Sequence, residues 1–131
     1  MNASALSPAK ILEMVVCRIE DVGLYHGTDP HHGRGVAVPP TLLGAWDWAR
    51  TQSRPHWRTR GDKELWEQFH AVCFAALHSL AMHVADEPDA PEWWSVGQLA
   101  WESHVVAVWG EFHTAEEAVT AIRAAAADME D

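Results

Sequence analysis

Cysteine is scarce in this chain. Cys17 and Cys73 lie far apart and in no C-x-x-C pair, too few for a disulfide framework. Long apolar runs are missing too. The longest, AVCFAAL, falls far short of the roughly 18 residues that suggest a transmembrane helix. The opening MNASALSPAKILEMVVC has no basic stretch followed by an apolar run, so no secretory signal is expected and a reducing, cytoplasmic setting is the default. Lysine (two) and asparagine (one) are rare against 21 alanines, 8 tryptophans and 7 arginines, a bias that fits a GC-rich genome.

Positive charge is nearly absent from the last third. Residues 1–83 hold eight acidic and eight basic side chains, whereas residues 84–131 hold eleven acidic groups and one basic, Arg123. The whole net charge of −10 therefore sits there. Such a surface disfavours nucleic acid, because phosphate contacts need cations. It suits solubility or a basic partner. Catalytic signatures are missing as well: no G-x-S-x-G, P-loop, G-x-G-x-x-G or H-E-x-x-H occurs, so no reaction class is singled out.

What the chain does have is helical patterning. At 131 residues it suits one domain with an ordinary core. Ser7 with Pro8 opens a first helix that ends at Gly23, with Ile11, Leu12, Val15, Ile19 and Val22 on one face and Cys17 nearly opposite. TLLGAWDWARTQ reads as a short helix, weakened by Gly44. Asp62 can cap a long helix whose stripe runs Leu65, Trp66, Phe69, Val72, Cys73, Ala76, Leu77, Leu80, Val84. Asp89 and Glu92 have capping-box spacing before WWSVGQLAWESHVVAVW, although its HVVAVW, residues 104–109, is β-branched enough to be a strand. Thr114 with Glu117 opens a final helix through Val119, Ile122 and Ala126.

Three histidines and a cysteine crowd HAVCFAALHSLAMHV, residues 70–84. At about 100° per residue from Phe69, His70 falls near 100°, His78 near 180° and His83 near −40°, so the three diverge. His70 and Cys73 share metal-pair spacing but supply only two ligands where a structural zinc takes four. The stretch is mainly a core helix, in which a buried thiol is inert. A second cluster, HGTDPHHGRG, offers His26, Asp29, His31 and His32 on a glycine-rich loop, residue types that suit zinc or nickel.

RTQSRPHWRTRGDK carries Arg50, Arg54, Arg58, Arg60 and Lys63 around Trp57, a mixture of cations and an aromatic ring that resembles surfaces for phosphate backbones or single strands. It could equally dock on the acidic last third. Tryptophan serves both cores and contact hot spots. Most of the eight are expected in the core, and Trp93–Trp94 beside Asp89 and Glu92 is the expected partner surface.

ILEMVVCRIEDVGLYHG, AVCFAALHSL and VVAVWGEFHTAEEAVTAIRAAA, taken together, resemble a family of small actinobacterial and actinophage proteins of unknown function. The matching residues are Gly23 with Tyr25, Cys73 with Ala76 and Leu77, Trp109, and Thr114 with Glu116, Glu117 and Val119. Gly110 and Glu111 stand where that family has Asn and Asp, and His113 where it has Arg. The shared pattern is mostly capping and core, so the resemblance implies a helical fold and an accessory or phage-borne setting, and carries over no catalytic role.

The expectation is a mostly α, single-domain bundle of four to five helices over residues 1–131, with one short strand at 104–109 as the alternative. The expected function is that of a non-enzymatic, protein-binding accessory or phage-borne regulator with no cofactor and no membrane partner. Two alternatives stand beside it. One is a zinc protein built on the 26–32 loop. The other is a phosphate or nucleic-acid contact through Arg54, Trp57, Arg58 and Arg60.

Overall fold

Capping chemistry sets where the helices begin and end. In the computed structural model, which describes residues 6–32, 38–55, 63–85 and 90–129, α1 (Pro8–Val22) starts behind Ser7, whose hydroxyl accepts the Lys10 N–H at 3.2 Å. One of the four orphan amides is thereby satisfied, and Pro8 has none to lose. The helix stops at Gly23, whose φ of 90° suits only a residue without a side chain. α2 (Leu42–Gln52) starts at fully buried Thr41. The Thr41 hydroxyl accepts the Gly44 N–H at 2.9 Å and donates to the Asp29 carbonyl at 2.8 Å, so one side chain caps the helix and anchors the preceding loop. α3 (Lys63–Val84) is the longest helix, and its expected cap Asp62 lies outside the described residues. α4 (Gln98–Glu111) follows Gly97 with no side-chain cap. α5 (Ala115–Met129) follows a closed capping box: Glu117 Oε1 accepts the Thr114 N–H at 2.9 Å and the Thr114 hydroxyl accepts the Glu117 N–H at 3.1 Å.

The five helices form an all-α bundle, with no strand among the described residues. α1 is its hub, packed on α2, α3 and, most extensively, α5. It buries Ile11, Leu12, Val15, Val16 and Ile19. α5 buries Ile122 together with Ala118, Ala125 and Ala126, three small residues that let two helices approach closely. α3 adds Phe69, Cys73, Ala76, Leu77 and Leu80. Each fully buried aliphatic side chain here contributes about 1.5–3 kcal/mol. α4 stands at the periphery and packs mainly on α3 and α2. A Cβ added at Gly110 would lie 2.5 Å from the Leu42 Cβ, so the close crossing of α2 and α4 depends on the missing side chain.

The structure decides one open reading and corrects two expectations, the start of α4 and the place of tryptophan. HVVAVW is helix, not strand: Val106 and Ala107 bury themselves against the bundle, and that packing outweighs β-branched propensity. The helix begins at Gln98 rather than after the Asp89–Glu92 spacing. Asp89 lies outside the described residues, and Glu92 and Trp93 form a turn. Tryptophan is largely peripheral. Among the described residues only Trp46 is buried, its Nε1–H donating to the Cys73 carbonyl at 3.0 Å. Trp48, Trp66, Trp94, Trp101 and Trp109 are half-buried and Trp93 is exposed. An indole is large and carries a donor, so few places in a core this small suit it. None of the described helices is long and apolar enough to cross a membrane.

Candidate functional site

The histidine loop is tied into the fold. Asp29 Oδ1 accepts the His31 N–H at 2.9 Å, and the Asp29 carbonyl accepts the Thr41 hydroxyl. The His32 ring lies flat on Tyr25, centroids 3.7 Å apart, with Nδ1 3.1 Å from the Pro39 carbonyl. His26 and His31 are exposed. Among the described residues, no three His, Cys, Asp or Glu side chains are gathered as a metal-holding group. His70 and Cys73 also part company. His70 is exposed against the rings of Trp66, Phe69 and Phe74, whereas Cys73 is fully buried, which pushes its thiol up to about 11. A thiol held neutral in this way is a poor ligand and nucleophile at neutral pH.

The basic loop is only partly described. Trp57, Arg58 and Arg60 lie outside the described residues, and Arg54 is exposed just past α2. Arg50 is turned inward. It bonds buried Asp47 and its guanidinium lies 5.4 Å from the Trp46 ring centroid, so it is spent on the protein's own structure.

Trp93 and Trp94 are brought together with two further side chains, Trp101 and His104, while Glu92 is exposed in the turn before them. Trp94 and Trp101 meet edge to face at 5.2 Å, and Trp93 touches both at 6.0 Å. His104 leans on Trp94 and Trp101 at 5.5 Å. This knot is fastened to α4 by two backbone-linked bonds: Trp94 Nε1–H to the Gly97 carbonyl at 2.9 Å, and the Ala90 N–H to Gln98 Oε1 at 2.8 Å. Gln98 in turn donates to Glu102 at 2.9 Å, and the buried Glu102 carboxylate also takes His78 Nδ1 at 2.6 Å. A buried carboxylate held by two donors avoids the penalty of an unpaired charge and locks α4 on α3.

The outer face of α4 continues from the knot. Trp101, Val105, Val108 and Phe112 fall within one stripe at a spacing of four, three and four, while Glu102, Val106, Ala107 and Gly110 form the inner face. With Val84 and Ala85 from the end of α3, the stripe lines a groove of about 540 Å³. The two most exposed large apolar side chains among the described residues are Phe112 (75%), which lines the groove, and Trp93 (74%), which touches Trp101. Contiguous exposed apolar surface of this kind marks a contact site more often than scattered single residues do. One signal in the sequence did point to it. QLAWESHVVAVWGE spreads apolar residues around the whole helix, and a helix of that kind needs cover on both sides.

No family model, no curated protein and no solved structure matches this chain.

Proposed function

We propose that this protein is a non-enzymatic binding module, an accessory or phage-borne regulator, which contacts another protein through the outer face of α4 and the adjoining tryptophan knot. One observation carries the reading: α4 has a second apolar stripe, from Trp101 to Phe112, beside the most exposed aromatic side chains of the described chain. Tryptophan and phenylalanine grouped around a shallow groove are the residues that dominate contact energy at protein interfaces. The knot is also held in place before any partner arrives, so little ordering entropy opposes binding.

The test is affinity capture from a lysate of a GC-rich actinobacterium, with the wild-type chain and Phe112→Asp as paired baits. A stoichiometric protein retained by the first and lost from the second is expected. Equal capture by both baits, or by neither, overturns the reading.

A further inference from the structure

We infer that the groove along α4 takes a cationic amphipathic helix of a partner protein, an inference that rests on the binding reading above and specifies its partner. The groove has two unlike ends. Its apolar trough runs along Trp101, Val105, Val108 and Phe112. Through Trp109 and His113, which line both, it continues into a second depression of about 660 Å³ beside the start of α5, where Glu116 and Glu117 are exposed. Asp128, near the far end of α5, is paired at 2.9 Å with His83, which also lines this depression. No lysine or arginine is among the residues that line either half. Arg123, the one permanent cation of residues 84–131, is bonded instead to Glu20 of α1 at 3.2 Å. An apolar trough leading to an acidic end is complementary to a segment with an apolar stripe and lysine or arginine beside it.

Geometry favours a helix as that segment. The stripe from Trp101 to Phe112 covers about 16 Å at 1.5 Å per residue, and a helix laid alongside presents anchors at i, i+3 or i+4, and i+7 with the same pitch. No strand edge exists among the described residues for an extended peptide to join. A second copy of this chain is the poorer occupant. It would set Glu116 and Glu117 against their own kind, on a protein already carrying a net charge of −10.

The test uses synthetic peptides of about 14 residues, long enough to form a helix on binding. The first is a Leu/Lys sequence with leucine at one helical face. The second has the same composition scrambled so that no face forms, and the third replaces lysine with glutamate. Each is titrated into the full-length chain and followed by tryptophan fluorescence and calorimetry. The Leu/Lys helix is expected to bind in the micromolar range and to weaken at least about tenfold between about 0.05 and 0.5 M salt. The other two peptides should bind at least about tenfold more weakly.

Two variants separate groove binding from bulk attraction. Val108→Asp adds negative charge yet is expected to weaken the Leu/Lys peptide at least about tenfold. Glu116→Lys, at an exposed helix position where folding is not at risk, should weaken it severalfold. Equal binding of the scrambled peptide, or tighter binding by Val108→Asp, means attraction by net charge alone and overturns the inference. Binding of the glutamate peptide that matches the lysine peptide and is lost in Val108→Asp keeps the binding face but overturns the cationic partner. If no peptide binds and sedimentation finds a dimer dissolved by Val108→Asp, the face is a self-interface and the inference fails. No peptide, no dimer and no Phe112-dependent capture would remove the binding reading as well.

Discussion

α1 and α4 are almost the same length, 15 and 14 residues, but they use their surfaces in opposite ways. α1 turns Ile11, Leu12, Val15 and Ile19 into the bundle and gives water Lys10, Glu13, Cys17, Glu20 and Asp21. Its apolar surface is used up by the fold. α4 turns Val106, Ala107 and Gly110 inward and then keeps Leu99, Val105, Val108 and Phe112 on surfaces that remain half-buried or exposed. Folding of one chain covers only one side of such a helix. The difference is one of coverage: a helix that is amphipathic is complete within its bundle, and one that is apolar all round leaves an apolar face outside it.

The comparison breaks first at α1. Leu12→Ala empties a fully buried site at the hub and is expected to cost about 2–5 kcal/mol, read as a lower urea midpoint at unchanged slope. A cost under about 1 kcal/mol would mean that α1 is not the central element. The inner face of α4 is next. Gly110→Ala gains about 1 kcal/mol of helix propensity and loses about 1–3 kcal/mol to overpacking where its Cβ meets Leu42, so net destabilisation is expected. A net gain would place α4 further from α2 and leave it loosely held on both faces.

The cap of α5 gives a smaller, pH-dependent effect. Thr114→Ala should cost roughly 1 kcal/mol at neutral pH. The Thr114 N–H holds the Glu117 carboxyl below its ordinary value of 4.5. A carboxyl depressed in the fold stabilises it above the unfolded pKa and stops doing so as pH falls through the folded one. The benefit of the Glu117 carboxylate, measured as the urea-midpoint difference between wild type and Glu117→Gln, should therefore be full at neutral pH and vanish in acid well below 4.5. A difference that persists undiminished in acid would mean that the carboxylate is not the group at work.

These elements differ in how readily the sequence revealed them. α1 and α5 were legible in detail, because Ser7, Gly23 and the Thr114–Glu117 box act within a turn of where they stand, and local chemistry needs no knowledge of the rest of the fold. The stripe of α3 was legible for Phe69, Cys73, Ala76, Leu77 and Leu80, while Leu65 at its start is exposed and His83 near its end turns to Asp128. α4 was the hard case. With apolar residues on every side, it offered no periodicity to separate helix from strand, and its β-branched run kept both readings open. Of the site, Trp93 and Trp94 were singled out from composition. Trp101 was not, because it lies seven positions or more away and joins them only when the turn at Gly97 folds back. The structural ties of the histidine loop were hidden for a related reason. Asp29 and His32 are ligand types by chemistry, but here they bond Thr41, His31 and Pro39, and such uses are invisible until the chain is folded.

The smallest expected effect sharpens the comparison most. Val15 of α1 and Val108 of α4 allow the same change, Val→Thr, which conserves shape and adds a hydroxyl. At Val15, fully buried, the hydroxyl must be desolvated and a cost of about 1–3 kcal/mol is expected. At Val108, half-buried in the groove wall, water reaches the hydroxyl and the change should stay within about 0.5 kcal/mol. Phe112→Ser, at the most exposed aromatic of the described chain, should cost equally little. Chemical denaturation of the four proteins, wild type and three variants, reads all of this directly. If Val108→Thr costs as much as Val15→Thr, something already covers the outer face, and α4 is a core helix like α1. If it costs almost nothing while capture of a partner falls, the apolar residues of that face stabilise no part of the monomer. Their effect is then felt only in the complex.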